Sequence, residues 1–378
     1  MKKNMYKKIL AIISIAILFS ACKKNIPVIC NCDPNDLVTT MTVFSSGFNN
    51  PRGLKFGPDG YLYVAEGGVG GTDTSTTCAQ VLPPIGPYLG SITGSRISRV
   101  NQNGERTTFV DNLPSSQTGV ATGSLVSGVA DIAFIDHTLY ALITGAGCSH
   151  GVPDFPNSVI RINHDQSWKI IADLSNYYLN TTVANPSTNG DYEPDGTPYS
   201  MIALGGEFFV VEPNHGELDK VTLNGKIKRI IDISASQGHI VPTVVAFHHG
   251  NFYVGNLNVF PITGNSSIYK ITPAGNISVV ATGFSTILGI TFDRFGGLYV
   301  LENTTHNDFP TPGTGDIIRI DPTGDRLIVA TGLNLPTGLT IGPDEKLYVS
   351  NWGFGAPPGT GEILQIDLSC RSQHGFKK

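Results

Sequence analysis

Glu66, Glu212, Asn256, Glu302 and Asn351 each close an apolar run of one kind, as in Leu298-Tyr299-Val300-Leu301-Glu302. Side-chain oxygens repeated at equivalent points suit a hard cation such as calcium, which takes about six to eight oxygen ligands. They equally suit the hydroxyls of a sugar. The same residue types at strand ends also serve a plainer purpose, because they satisfy backbone groups that loops leave over. A second set of equivalent positions precedes the inner apolar runs and reads Arg52, Ala130, Tyr199, Thr243, Leu288 and Thr337, with Asp131 one residue further in. This inner set offers no carboxylate, so a central metal is not expected. Arg52 and Tyr199 stand as candidates for contacting a ligand.

His150, His215, His248, His249 and His306 fall on or near loops. No Ser/His/Asp order and no metal-type Cys/His spacing accompanies them, so no catalytic residue is assigned. Aromatic residues of the expected loops, among them Tyr88, Tyr192, Phe260, Phe309, Trp352 and Phe354, could stack on a ligand or pack the loops together.

The elements that must position these residues are copies of one unit. Gly53-Leu54-Lys55-Phe56-Gly57-Pro58-Asp59-Gly60-Tyr61-Leu62-Tyr63-Val64-Ala65-Glu66 returns near the end as Gly338-Leu339-Thr340-Ile341-Gly342-Pro343-Asp344-Glu345-Lys346-Leu347-Tyr348-Val349-Ser350-Asn351. The second-strand cores fall at Leu62, Leu139, Phe208, Phe252, Leu298 and Leu347, so the last three spacings are 44, 46 and 49 residues. Periods of that size mark propeller blades, none of which buries its apolar face without its neighbours. The expectation is an all-β, six-bladed β-propeller of four-stranded antiparallel blades spanning 41–370. Only five fourth runs follow third runs. The segment from Thr42 matches the lead-in from Ile328, so the N-terminal strand is expected to complete the last blade and remove an exposed sheet edge.

Lys2, Lys3, Lys7 and Lys8 precede the apolar run Ile9 to Phe19, and Leu18-Phe19-Ser20-Ala21-Cys22 follows the pattern of a bacterial lipobox. Residues 1–22 read as a signal peptide, Cys22 as the lipid-bearing residue, 23–40 as a tether and 371–378 as a polar tail. Export implies an oxidising compartment. Cys78 and Cys148 lie in insertions of adjacent blades on one face and form a candidate disulfide, and Cys370 could meet Cys30 or Cys32 across the seam. A net charge of −5 and only 15% charged residues provide no footprint for nucleic acid. A ring closed on itself reads as a monomer, and the membrane partner would be reached through the lipid.

The stretch from Gly53 to Glu66, the motif Thr93-Gly94-Ser95-Arg96-Ile97-Ser98-Arg99-Val100, the segment Pro198-Tyr199-Ser200-Met201-Ile202-Ala203-Leu204 and the Gly361-Glu362-Ile363-Leu364 ending resemble the ScyD/ScyE family of exported, NHL-like six-bladed propellers. The resemblance covers about residues 41–368 and implies the fold, but carries over no catalytic residue. Two further functions remain open, a calcium-dependent hydrolase of the lactonase type using the five strand-end residues, and a quinone-dependent sugar dehydrogenase suggested only by the strand phrase. No cofactor is predicted, with calcium the one alternative. The favoured reading is a membrane-anchored, non-catalytic propeller that binds a small molecule, glycan or protein through its loop-rich face.

Overall fold

The computed structural model describes residues 36–371 apart from 75–76, 84, 120–124, 189, 191, 262–263 and 307. The signal peptide, Cys22, Cys30, Cys32 and most of the tether and tail therefore lie outside the described residues. Among the described residues, no helix is long and apolar enough to cross a membrane.

The repeated phrase folds as a hairpin whose tight reversal is built by its own residues. In the first copy Gly60 adopts φ +82°, Gly57 N donates to Tyr61 O at 2.8 Å, and Tyr63 Oη donates to Asp59 Oδ2 at 2.8 Å. The last copy repeats the design with Glu345 at φ +66° in place of the glycine and Tyr348 Oη donating to Asp344 Oδ2 at 3.0 Å. The Asp of the phrase thus ties the turn to the second strand. Burial, reinforced by Asp59, pushes the Tyr63 hydroxyl up to about 12.

Strand β1 (Leu37–Phe48) is followed by blade I: β2 (Pro51–Phe56), β3 (Leu62–Glu66), β4 (Leu89–Val100), β5 (Arg106–Gln117) and the short β6 (Val126–Ser127). Blade II holds β7 (Val129–Ile135), β8 (Thr138–Ile143), β9 (Ser158–Ile162) and β10 (Trp168–Asp173), after which comes helix α1 (Leu174–Asn180). Blade III holds β11 (Ser200–Leu204), β12 (Glu207–Glu212), β13 (Glu217–Thr222) and β14 (Ile227–Asp232), followed by helix α2 (Ser234–Gln237). Blade IV comprises β15 (Pro242–His248), β16 (Asn251–Asn256), β17 (Ser266–Ile271) and β18 (Ile277–Phe284). Blade V comprises β19 (Ile287–Phe292), β20 (Leu298–Glu302), β21 (Gly315–Ile320) and β22 (Arg326–Leu333). Blade VI comprises β23 (Gly338–Ile341), β24 (Leu347–Asn351) and β25 (Gly361–Cys370), and its sheet order β1-β25-β24-β23 makes the N-terminal strand its outer member.

This is the six-bladed β-propeller that the repeat implied. Two details differ: β1 begins at Leu37, inside the stretch read as tether, and blade I has the extra strand β6. Each inner strand lies beside the next, and β23 meets β2 to close the ring. Apolar faces of neighbouring blades bury one another, as where Ala65 and Ile97 meet Ile132 and Ala141, each fully buried. A fully buried aliphatic side chain contributes roughly 1.5–3 kcal/mol. No blade retains that contribution alone.

The compact body is Thr39–Leu368. Of the second unit, residues 36–38 and 369–371 are described, and within it Arg371 N donates to Asp36 O at 2.8 Å. Cys370 is disulfide-bonded.

Candidate functional site

Antiparallel order places the fourth-to-first and second-to-third connections on one face, and the strand-end residues lie beneath them. Glu66 Oε2 accepts from Asn49 N at 2.6 Å, while Arg96 Nε donates to both of its oxygens at 2.9 Å. Asn351 Oδ1 accepts from Asn334 N at 2.8 Å, and Glu302 Oε1 accepts from Ser285 N. Glu212 takes Thr197 N at 2.7 Å on one oxygen and His215 N on the other. Asn256 spans its loops both ways, donating to Ile240 O at 2.8 Å and accepting from Ser267 N at 2.7 Å. In three of these cases the donor lies 17 residues earlier, at the end of the chain segment entering the same hairpin. The ring fastens each incoming loop to its own blade, with at least one side-chain oxygen of every member accepting a backbone N–H. Among the described residues no group of three or more His, Cys, Asp or Glu is placed to hold a metal ion.

The inner set behaves differently. Arg52 and Tyr199, 147 residues apart, meet where Arg52 Nη1 donates to Tyr199 Oη at 3.0 Å, and Arg52 Nη2 donates to Val126 O on β6. The guanidinium also faces the rings of Tyr199 and Phe354, 5.7 and 5.8 Å from their centroids. Arg52 is only 8% exposed, yet no carboxylate pairs with it among the described residues. A guanidinium carries five N–H donors in a fixed fork, so several remain for a ligand. Leu288, Leu335 and Phe354 form an apolar collar, with Tyr199 and Leu257 against it. Below this mouth runs an axial passage of about 30 Å³. There Asp131 accepts from Ser200 Oγ at 3.1 Å and from Met201 N and Ile132 N at 2.9 Å each. Burial raises the Asp131 carboxyl, opposed chiefly by Lys55.

A buried polar knot joins three of the face loops. Cys78 is bonded to Cys148 as expected. Beside it His150 Nε2 lies 3.3 Å from Glu193 Oε2, Tyr88 Oη donates to Glu193 Oε1 at 3.0 Å, and Ser149 N donates to Asp195 Oδ2 at 3.1 Å. Burial lowers the His150 imidazole to about 4, against the pull of Asp195. Glu193 and Asp195 escape a reading by repeats, since neither occupies a repeated position. Ser149, His150, Glu193 and Asp195 are buried within it, and the knot holds the loops.

His248 and His249 stand apart from all this, in the β15–β16 turn on the opposite face. Phe260 and Phe309 come from two neighbouring face loops, stack 5.9 Å apart at 27°, and are 41% and 64% exposed.

No family model and no curated protein matches the chain. Solved structures of similar fold do. A Bacteroides thetaiotaomicron protein of unknown function aligns at TM-score 0.56 with 11% identity, over 88% of this chain and 76% of its own. A gluconolactonase of Xanthomonas campestris aligns at 0.52 with 10% identity, over 87% and 90%. An auxiliary nutrient binding protein of B. thetaiotaomicron aligns at 0.52 with 10% identity, over 88% and 77%. At such identities the likeness establishes the six-bladed propeller fold alone.

Proposed function

We propose that this protein is a non-catalytic binding propeller, of the ScyD/ScyE type its motifs resemble, anchored to a membrane through lipid on Cys22. Its loop-rich face receives the anionic group of a small molecule, glycan or protein. The observation that carries the reading is Arg52, a buried guanidinium at the axial mouth with two aromatic rings beside it and no carboxylate partner among the described residues. Burying a cation unpaired is unfavourable, and an incoming carboxylate or phosphate supplies the missing charge in fork geometry. The exposed Phe260 and Phe309 pair adds an apolar contact on the same face.

The hydrolase alternative draws on the fold shared with a gluconolactonase. It needs converging oxygen donors, whereas the five strand-end residues are bound to their own loops.

A thermal-shift screen of small carboxylates and inorganic phosphate on the full protein tests the proposal, with Arg52→Met and Tyr199→Phe as variants. An anion that stabilises the parent should bind roughly ten-fold or more weaker to Arg52→Met, and two- to three-fold weaker to Tyr199→Phe. Equal shifts in all three proteins would defeat the assignment to Arg52.

A further inference from the structure

The face opposite the loops carries a second and much wider opening. The inner-to-second-strand turns of blades IV and V wall a bowl of about 610 Å³. Lys55, Val245 and Ile290 line both the bowl and the axial passage, which places the bowl over the lower end of the axis.

One wall of the bowl is flat and unsaturated. The His248 ring stacks on Phe292 at 4.2 Å and 5°, and His249 meets His248 edge-on at 3.9 Å. Phe247 continues this wall. The cationic side chains lining the bowl are Lys55 and Arg294. Lys55 is half-buried and, among the described residues, has neither a hydrogen bond nor an ion pair in contact, its charge acting at longer range on the buried Asp131 carboxyl of the axial passage. Arg294 stands exposed at the rim, paired with Glu345 at 2.7 Å. The bowl's single lining carboxylate among the described residues, Asp293, is already committed to Phe295 N at 2.9 Å, Gly297 N at 2.8 Å and Arg319 Nη2 at 3.3 Å. Lys55 is thus the one cation of the bowl without a contacting carboxylate among the described residues.

His249 occupies the first position of the β15–β16 turn. It adopts the left-handed φ +45°, as Asp136 does at φ +54° in the matching turn of blade II and Gly205 at φ +61° in that of blade III. Glycine fits the same backbone conformation, so the imidazole can be removed without distorting the turn.

We infer that the bowl is a second binding site, for a planar aromatic anion whose ring lies along the His248–Phe292 stack and whose carboxylate or sulfonate meets Lys55. Ring and charge act together, because a lone ammonium is strongly hydrated and a ring contributes most through a flat, offset contact.

Naphthalene-2-sulfonate titrated calorimetrically into the full protein provides the test, since it carries both features. Measurable affinity at low salt should fall several-fold at high salt. Lys55→Met, which keeps the apolar stem, should weaken binding roughly ten-fold. His249→Gly should raise the Tm while weakening binding about three-fold, which separates the site from foldedness. The uncharged 2-naphthamide and the ringless acetate should each bind at least about ten-fold more weakly than the probe. The inference is overturned by no binding to the parent, by equal affinity in Lys55→Met, or by equal affinity for the neutral analogue. Loss of binding in Arg52→Met but not in Lys55→Met would move the anion to the loop face and overturn it as well.

Discussion

Glu302 ends β20 with a carboxylate whose main support is the Ser285 N–H, whereas Glu66 at the same point of blade I is held by Arg96 on both oxygens. Burial therefore dominates at Glu302 and raises its carboxyl from 4.5 to about 7, with Asp316 adding to the rise and the Ser285 bond and Arg326 opposing it. A carboxyl whose folded value lies above its unfolded one holds its proton more tightly when folded. Stability is then undiminished below about 4.5 and is lost as pH climbs toward 7. Glu302→Gln keeps an oxygen for the Ser285 N–H and removes the charge. Its stability should equal the parent's near the lower value and exceed it by about 2–3 kcal/mol above the upper one. Thermal unfolding across that pH range decides the matter, and parallel curves for the two proteins would show that the carboxylate is solvated after all. Blades IV and VI already carry the neutral amides Asn256 and Asn351 at this point, so the loop-fastening role does not require a charge.

Inner strands approach one another more closely than side chains permit at certain glycines. A Cβ on Gly338 of β23 would stand 2.3 Å from Arg52 O of β2, a backbone atom of the adjoining blade. On Gly289 of β19 the nearest contacts are Leu339 Cβ at 3.0 Å and Leu301 side-chain atoms at 3.1 Å, which can yield a little. Gly338→Ala should thus destabilise by about 1–3 kcal/mol and Gly289→Ala by distinctly less, as read by urea denaturation with unchanged m values. A reversed order would mean that the blade VI to blade I junction is the more pliable one. At this scale much was legible in the sequence. Strand alternation, the Pro-Asp-Gly turn and the matching lead-ins at Thr42 and Ile328 were enough to deduce six blades and the closing strand, because each depends on neighbouring residues. The purpose of the strand-end Glu and Asn residues was not decided there, since their partners depend on the path taken by each loop. The bowl was hidden for a related reason. His248-His249-Gly250 reads as a reversal, and only the ring's closure brings it beside Asp293 and over Lys55.

For the whole molecule, the decisive element is the strand that joins the two ends of the body. β1 supplies the outer edge of blade VI, and Phe48 is fully buried with Leu54 and Val64 of blade I and with Tyr348 and Ile363 of blade VI. Side chains cross the same junction: Thr337 Oγ1 donates to Pro51 O and Ser350 Oγ to Arg52 O, each at 2.6 Å, while Gly359 N donates to Asn49 Oδ1 at 2.8 Å. Thr39 Oγ1, donating to Val329 O at 2.6 Å, ties β1 to blade V as well. Because several of these bonds lie outside β1, removal of residues up to Phe48 should leave a ring that still folds but exposes the long edge of β25. An unpaired edge of that length recruits another strand, so the shortened protein should self-associate, seen as a raised mass by light scattering. It should also lose cooperativity and unfold at lower temperature. A synthetic peptide spanning 37–48 should restore the monomer by filling the vacated edge, an outcome that general destabilisation would not produce. A shortened chain that stays monomeric with an unchanged Tm would show that the ring closes through its inner strands alone, and that β1 covers the edge without holding the ring together.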